Sequence, residues 1–322
     1  MGRKLGLISV VVPCFNEESC IAELYHRMVP VLTEVAESYE ILFINDGSRD
    51  RTLEIMRQLK AQDSKVGYLS FTRNFGHEAG LTCGIANTKG DAVVLIDADL
   101  QDPPEVIRDL VRRWEQGFEI VYAQRRSRAG EKYLTLLTSS LFYRVYNKLA
   151  HVEMPVDTGD FRLMDAAVVR AFCALPERNR YVRGMISWTG YKQTGVLYDR
   201  DARYAGETKY RFYNRASLAF DAICAISNFP LRLITLCGFA LTILALGIVS
   251  WIVIQKISNG LPLRGYALLA TGLYFFGGVQ LFFLGLIGEY VGRIYRETQN
   301  RPLFILGEAA LSEQKARRKK VA

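Results

Sequence analysis

Histidine is scarce in this 322-residue chain, with three in all. The six cysteines (Cys14, Cys20, Cys83, Cys173, Cys224 and Cys237) form no Cys-x-x-Cys pair. A structural zinc site is therefore not expected, and the cysteines read as small reduced apolar side chains in a cytosolic setting. The N-terminus lacks the apolar stretch of a signal peptide, and residues 1–230 contain no run long enough to cross a bilayer. Internal repeats are absent, and only the basic tail has low complexity, which reads as disordered. The net charge of +8 comes with no RNA- or DNA-binding signature. Much of that charge lies in the tail and beside apolar runs, where it suits anionic lipid headgroups and not a nucleic-acid groove.

Half of the residues are hydrophobic, and they concentrate after residue 230. Residues 233–254 (22 residues) and 265–288 (24 residues) carry no charge. Each exceeds the roughly 20 residues that a spanning helix needs. The short loop between them carries Lys256 and Arg264 only. The outer flanks carry Arg211, Arg215 and Arg232 on one side and Arg293, Arg296 and Arg301 on the other. Lys315, Arg317, Arg318, Lys319 and Lys320 follow in the tail. The positive-inside rule then predicts two spans, with both termini and the N-terminal domain cytoplasmic. Close helix contacts at Gly277-Gly278 and Gly288-x-x-x-Gly292 would also allow a homo-oligomer.

Short apolar runs at 7–12, 41–44, 66–70, 92–96 and 119–123 alternate with helical patterns at 17–35, 52–62, 79–87 and 104–115. Such alternation predicts right-handed crossovers and a mostly parallel α/β sheet, whose ligands bind beyond the carboxyl ends of its strands. Residues 133–149 and 166–175 read as helical, 161–164 and 196–198 as short strands, and 213–227 as an amphipathic segment along the membrane surface. The expected organisation is a cytosolic domain over 1–210, a juxtamembrane segment over 211–230, two spans over 231–290 and a cytosolic basic tail over 291–322.

The motifs fall at strand ends. Asp97-Ala98-Asp99-Leu100-Gln101-Asp102-Pro103-Pro104 follows the fourth apolar run. Carboxylates at i and i+2 of an extended segment leave one face together, and two hard oxygen donors suit Mg²⁺ or Mn²⁺ on a diphosphate. An isolated Asp-x-Asp is more often a solvated acidic turn. Pro13-Cys14-Phe15-Asn16-Glu17-Glu18 ends the first run, and Asn16 equally fits a helix cap with Glu17 and Glu18 in the first turn. Asn45-Asp46-Gly47-Ser48 has turn chemistry, and its functional reading is that Asp46 accepts hydrogen bonds from a base or ribose.

Taken with Arg73-Asn74-Phe75-Gly76 and Thr158-Gly159-Asp160-Phe161-Arg162, these segments resemble family 2 glycosyltransferases of the GT-A fold. More narrowly, they are similar to the polyprenyl-phosphate branch, the dolichol-phosphate mannose synthases and bacterial undecaprenyl-phosphate glucosyltransferases. Arg203-x-x-Gly206-x-Thr208-Lys209-Tyr210 matches that branch too. The Gln-x-x-Arg-Trp segment of the processive branch is missing, its nearest match being Arg180-Tyr181-Val182-Arg183-Gly184. The expected fold is thus a GT-A domain followed by amphipathic interface helices and a two-helix transmembrane hairpin.

The resemblance implies a nucleotide-sugar donor, UDP-glucose foremost, and a polyprenyl-phosphate acceptor. Pro13, Asn16, Glu17 and Asp46, with the Gly47-Ser48 turn, would meet the nucleoside. Asp99 would bind the metal most directly, with Asp97 and Gln101 assisting. Arg203 and Lys209 would neutralise the donor diphosphate, and Arg125 or Arg126 would meet the acceptor phosphate. Asp157 is favoured as base or positioning group over Asp160, which also reads as a turn aspartate capping the Phe161 strand. His77 lies in a loop used near the sugar and often stands where relatives have lysine. Transfer would invert the anomeric carbon. GDP-mannose, UDP-GlcNAc or an aminoarabinose nucleotide are alternative donors. A non-catalytic membrane scaffold and a nucleotidyltransferase are alternative classes, and intact Asp97, Asp99, Arg203 and Lys209 speak against the scaffold.

Overall fold

A computed structural model describes residues 5–126, 158–178, 180–200, 229–259 and 265–313. The chain divides into two units, one of residues Met1–Arg215 with Arg301–Ala322, the other of Ala216–Asn300.

The first unit is built on an eight-stranded sheet ordered β7-β5-β6-β4-β1-β2-β3-β8. Its strands are β1 (Leu7–Cys14), β2 (Ser38–Asn45), β3 (Val66–Phe71), β4 (Ala92–Leu95), β5 (Ile120–Arg125), β6 (Thr158–Asp165), β7 (Gln193–Tyr198) and β8 (Leu306–Ala310). Pairings β1–β2, β1–β4, β2–β3 and β5–β7 are parallel, while β6 and β8 run against their neighbours. This is the mostly parallel α/β sheet that the strand–helix alternation predicts.

Helices cover both faces. On one lie α1 (Ile21–Val35), α2 (Thr52–Gln62) and α4 (Ile107–Glu115); on the other lie α3 (His77–Ala86), α5 (Ala166–Ala174) and α6 (Val182–Trp188). In α1 the residues Ile21, Leu24, Met28, Val31 and Leu32 recur at helical spacing and are buried. In β1, Ile8, Val10 and Val12 enter the α1 side of the core while Val11 enters the α3 side. That alternation fixes the register, because a one-residue slip would turn every side chain to the wrong layer. The carboxyl ends of β1, β2, β4 and β5 therefore lie along one edge. Since β6 is antiparallel, its amino end, Thr158-Gly159-Asp160, lies there too.

The second unit holds α7 (Phe229–Asn259) and α8 (Tyr266–Thr298). Among the described residues one stretch, Phe275–Thr298, is long and apolar enough to cross a membrane, and Ile234–Ile248 is a shorter apolar helix. The juxtamembrane segment 213–227 lies outside the described residues.

Two expectations change. Asn16 does not cap α1, which begins at Ile21 with Cys20 before it and no side-chain cap. Nor do residues 291–322 form a separate tail. Helix α8 runs to Thr298, and Leu306–Ala310 returns to pair with β3. Basic residues 315–320 dominate this end of the sequence, whereas the edge of β3, whose backbone groups offer a template for another strand, exists only in the assembled sheet.

Candidate active site

Three loops interlock at the carboxyl edge. Asn16 stands at φ 56°, its N–H donating to Ser48 Oγ at 3.0 Å and its Oδ1 accepting the Arg49 N–H at 2.8 Å. Asn45 accepts the Ser48 N–H at 3.0 Å and donates to Ser70 Oγ at 2.8 Å. Asp46 is buried, and its carboxylate accepts the N–H groups of Phe75 at 2.6 Å and Gly76 at 3.0 Å. Burial raises the Asp46 pKa above its ordinary value, and those two N–H bonds oppose the rise. Gly47 has φ 67°, and a Cβ there would lie 2.4 Å from the backbone carbon of Arg73. The turn after β2 thus carries the 73–77 loop directly, and Asp46 organises backbone besides any nucleoside contact. Glu17 N–H donates to Thr52 Oγ1 at 2.9 Å. Pro13 is buried within β1, in register with Ile44.

The Asp-x-Asp segment is not part of its strand. β4 ends at Leu95, so Asp97 and Asp99 lie in the loop beyond it and are not aligned by strand alternation. Leu100 takes φ 58°, and Asp99 Oδ1 accepts the Gln101 N–H at 3.2 Å. Burial, then Asp160, Asp102 and Asp99, drive the Asp97 pKa up to about 6 against the opposing pull of His77. Asp102 is 1% exposed and accepts the Tyr198 hydroxyl, with Arg200 Nε at 3.4 Å from the same oxygen. Its other oxygen, Oδ2, is buried without a hydrogen bond among the described residues.

Asp160 faces this cluster from β6. Arg183 on α6 holds it through two parallel bonds, Nε to Oδ1 and Nη2 to Oδ2, both 2.6 Å. His77 Nε2 lies 3.0 Å from Asp160 Oδ2 and 3.8 Å from Asp97 Oδ1. Burial alone would raise the Asp160 pKa, but Arg183 and His77 hold it well below the carboxylate range. For His77, burial pulls the other way, and the Asp160 hydrogen bond with the Asp97 charge raises its pKa to about 9. Glu78 accepts the Val182 N–H at 2.9 Å, fixing the start of α6 and with it Arg183.

The two candidate acceptor arginines separate. Arg125 leans toward the site: its Nη2 is 3.3 Å from where a Gly159 Cβ would stand, and its Nε is 3.5 Å from the Tyr198 hydroxyl. Arg126 makes an exposed pair with Asp199 at 3.3 Å. Asp157, Arg203 and Lys209 lie outside the described residues. The sequence reading missed the roles of Arg183 and Tyr198. The first appeared only within a segment compared with the processive branch, and nothing tied it to Asp160.

His77, Asp97 and Asp160 offer ligand atoms within 4.8 Å of one another. Asp160 is already neutralised by Arg183, whereas Asp97 is burdened by its carboxylate neighbours. Oxygen donors under mutual repulsion fit a hard divalent cation such as Mg²⁺ or Mn²⁺.

The family model for glycosyl transferase family 2 matches residues 9–172, half of the chain. The chain belongs to glycosyl transferase family 2. It is a glycosyltransferase, and the matched span takes in Asn16, Asp46, Asp97, Asp99, Arg125 and Asp160. A bactoprenol glucosyl transferase of Shigella phage SfX is 42% identical over 300 residues, covering 93% of this chain and 98% of the relative. An uncharacterised glycosyltransferase of Synechocystis is also 42% identical, over 94% of this chain and 95% of its own. The glucosyl-3-phosphoglycerate synthase of Mycobacterium tuberculosis, solved with Mn²⁺, UDP and phosphoglyceric acid, shares the fold at TM-score 0.50. It is 20% identical over 68% of this chain and 76% of its own.

Proposed function

We propose that this family 2 enzyme transfers one sugar, glucose from UDP-glucose, to a polyprenyl phosphate of the undecaprenyl type at the cytosolic membrane face, with inversion at the anomeric carbon. The observation that carries this reading is the 42% identity to a bactoprenol glucosyl transferase over 93% of the chain, a span that must include much of α7 and α8. A phage-borne enzyme of that name acts on a lipid carrier, and a lipid acceptor gives the apolar helices a purpose. The two-span hairpin, with both termini cytoplasmic, belongs to the proposal.

A divalent ion held by Asp99, Asp97 and Gln101 would supply Lewis-acid stabilisation of charge on the leaving diphosphate. Arg203 and Lys209 are assigned to that diphosphate as well. The 45–48 turn and the 73–77 loop take the nucleoside and sugar. Arg125 is the better acceptor-phosphate ligand because it lies against Gly159 at the site, while Arg126 is engaged at the surface with Asp199. A phosphate monoester has a second pKa of about 6, so at neutral pH it is largely a dianion and needs little help to attack. Asp160, kept ionised by Arg183 and His77, is a weak base suited to orienting groups. Asp157 keeps the assignment of base or acceptor-positioning group.

The test is transfer of labelled sugar into organic-extractable lipid by membranes carrying the chain, with undecaprenyl phosphate, Mg²⁺ or Mn²⁺, and parallel UDP-glucose, GDP-mannose and UDP-GlcNAc. Metal-dependent transfer from UDP-glucose alone, lost in Asp99→Asn, is the expected result. Transfer from another donor would replace the sugar. Activity from well-folded protein only on a soluble acceptor would overturn the lipid assignment.

A further inference from the structure

The segment after α8 does more than close the sheet edge. β8 is short and mostly exposed, so apolar burial contributes little to its docking. Polar and aromatic contacts hold it instead. Arg178 donates to the Arg301 carbonyl, and Glu308 accepts from Arg57 and from Tyr68. Beyond the strand, Ser312 Oγ donates to Glu40 Oε2 at 2.7 Å. Glu40, 3% exposed, also takes the Lys89 N–H at 2.7 Å and bonds Ser9 Oγ at 2.5 Å.

Between these anchors the segment meets the loop that carries His77. The Thr72 N–H donates to the Ile305 carbonyl at 3.0 Å. The Phe304 ring stacks on Phe71, centroids 5.0 Å apart at 11°, and Phe71 meets Phe75 edge-on at 5.7 Å and 88°. The N–H of Phe75 is the one that ends on Asp46 at 2.6 Å. A continuous chain of contacts therefore runs from Phe304 through Phe71 and Phe75 to the Asp46 turn.

We propose that residues 301–313 are a positioning element of the donor site, with Phe304 and Ile305 bracing the 72–77 loop so that its N–H groups stay on Asp46. The inference rests on the reading that this loop and the 45–48 turn hold the nucleotide sugar. Phe304 touches no substrate; it acts through Phe71 and Phe75. The chain that leaves α8 thereby sets the geometry of the donor side while leaving the acceptor arginine on β5 untouched.

The test uses the full-length protein in detergent or lipid nanodiscs, with Phe304→Ala, Phe304→Tyr, Arg57→Gln and Asp46→Ala. An aromatic contact of this kind corresponds to about three- to ten-fold in an equilibrium constant. Phe304→Ala should therefore raise the donor KM by about that factor and leave the acceptor KM unchanged. Phe304→Tyr should restore it. Arg57→Gln leaves Glu308 held by Tyr68 and keeps the Phe304–Phe71 contact, so it should leave the donor KM alone. Hydrogen exchange of residues 72–77 needs no turnover and should quicken in Phe304→Ala by a comparable factor. A Phe304→Ala enzyme with unchanged donor KM and unchanged exchange overturns the proposal, as does an equal rise in both KM values. Should Phe304→Ala not fold, Phe304→Leu is read by the same exchange measurement. If Asp46→Ala leaves the donor KM unchanged, the donor-site reading itself fails. If Asp46→Ala raises it and Phe304→Ala does not, only the bracing fails.

Discussion

Replacing Arg183 by Gln removes the fork that holds a buried carboxylate. Asp160 is 3% exposed and, among the described residues, keeps His77 at 3.0 Å once the two 2.6 Å bonds are gone. Taking away one partner of a buried ion pair costs about 3–5 kcal/mol, because the remaining charge stays desolvated. The Arg183 side chain is 30% exposed, so solvent already screens part of the interaction and the low end applies, about 3 kcal/mol. For a domain of this size each kcal/mol moves the melting temperature by about 2–4 °C, so Arg183→Gln should melt about 6–12 °C lower. Thermal unfolding of the purified full-length protein, scanned at one rate beside wild type, reads this directly. Arg183→Lys should fall between, since an ammonium keeps the charge but cannot make the two parallel bonds. In the double variant Asp160→Asn/Arg183→Gln the buried charge is gone, and the loss should be smaller than the sum of the single losses. A shift below about 2 °C for Arg183→Gln, or strict additivity in the double variant, would refute the argument.

Gly47→Ala should destabilise by about 2–4 kcal/mol, combining left-handed backbone strain with a clash against the Arg73 backbone, as denaturant unfolding will show. Asp99→Asn should lower lipid-linked product by at least about 100-fold, the scale of losing one group that stabilises developing charge. Chelation should reproduce that loss in the wild type, and added Mn²⁺ should restore only the wild type. Hydrogen bonds from Arg57 and Tyr68 lower the Glu308 pKa to about 2. A depressed carboxylate stabilises above its unfolded pKa and loses that contribution as pH falls through the folded one. Protection of β8 relative to Glu308→Gln should accordingly be present at pH 6 and fade toward pH 2, which hydrogen exchange at matched pH measures.

Local pattern was enough for the first five strands, because each is an apolar run bounded by turn residues, and it placed Asp46 and Asp97 at the carboxyl edge. It was not enough wherever the partner is remote. Arg183 and Asp160 are 23 residues apart with α5 between them, and no periodicity links a guanidinium on one helix to a carboxylate on a strand. Asn16 has the composition of a helix cap, yet its side-chain Oδ1 is claimed by the Arg49 N–H of a loop 33 residues on. β8 is Leu306-Gly307-Glu308-Ala309-Ala310, with little strand propensity of its own. It forms because the edge of β3 is there to receive it, which only the assembled sheet reveals.

Asp160, Asp102 and Asp97 differ in what neutralises them. Asp160 has a guanidinium in a fork and an imidazole, and its pKa is driven down. Asp102 has the Tyr198 hydroxyl and Arg200 beside one oxygen. Asp97 has His77 at 3.8 Å, while burial and then three carboxylates raise its pKa to about 6. A group already satisfied by Arg183 gains little from a cation, whereas one raised by burial and like charge gains most. Asp160 and Arg183 lock β6 to α6, and Asp97, crowded by its carboxylate neighbours, is the group for which a divalent ion would relieve repulsion. It follows that metal should stabilise the folded wild type against heat, and that Asp97→Asn should raise the metal-free melting temperature while abolishing the metal-dependent increment.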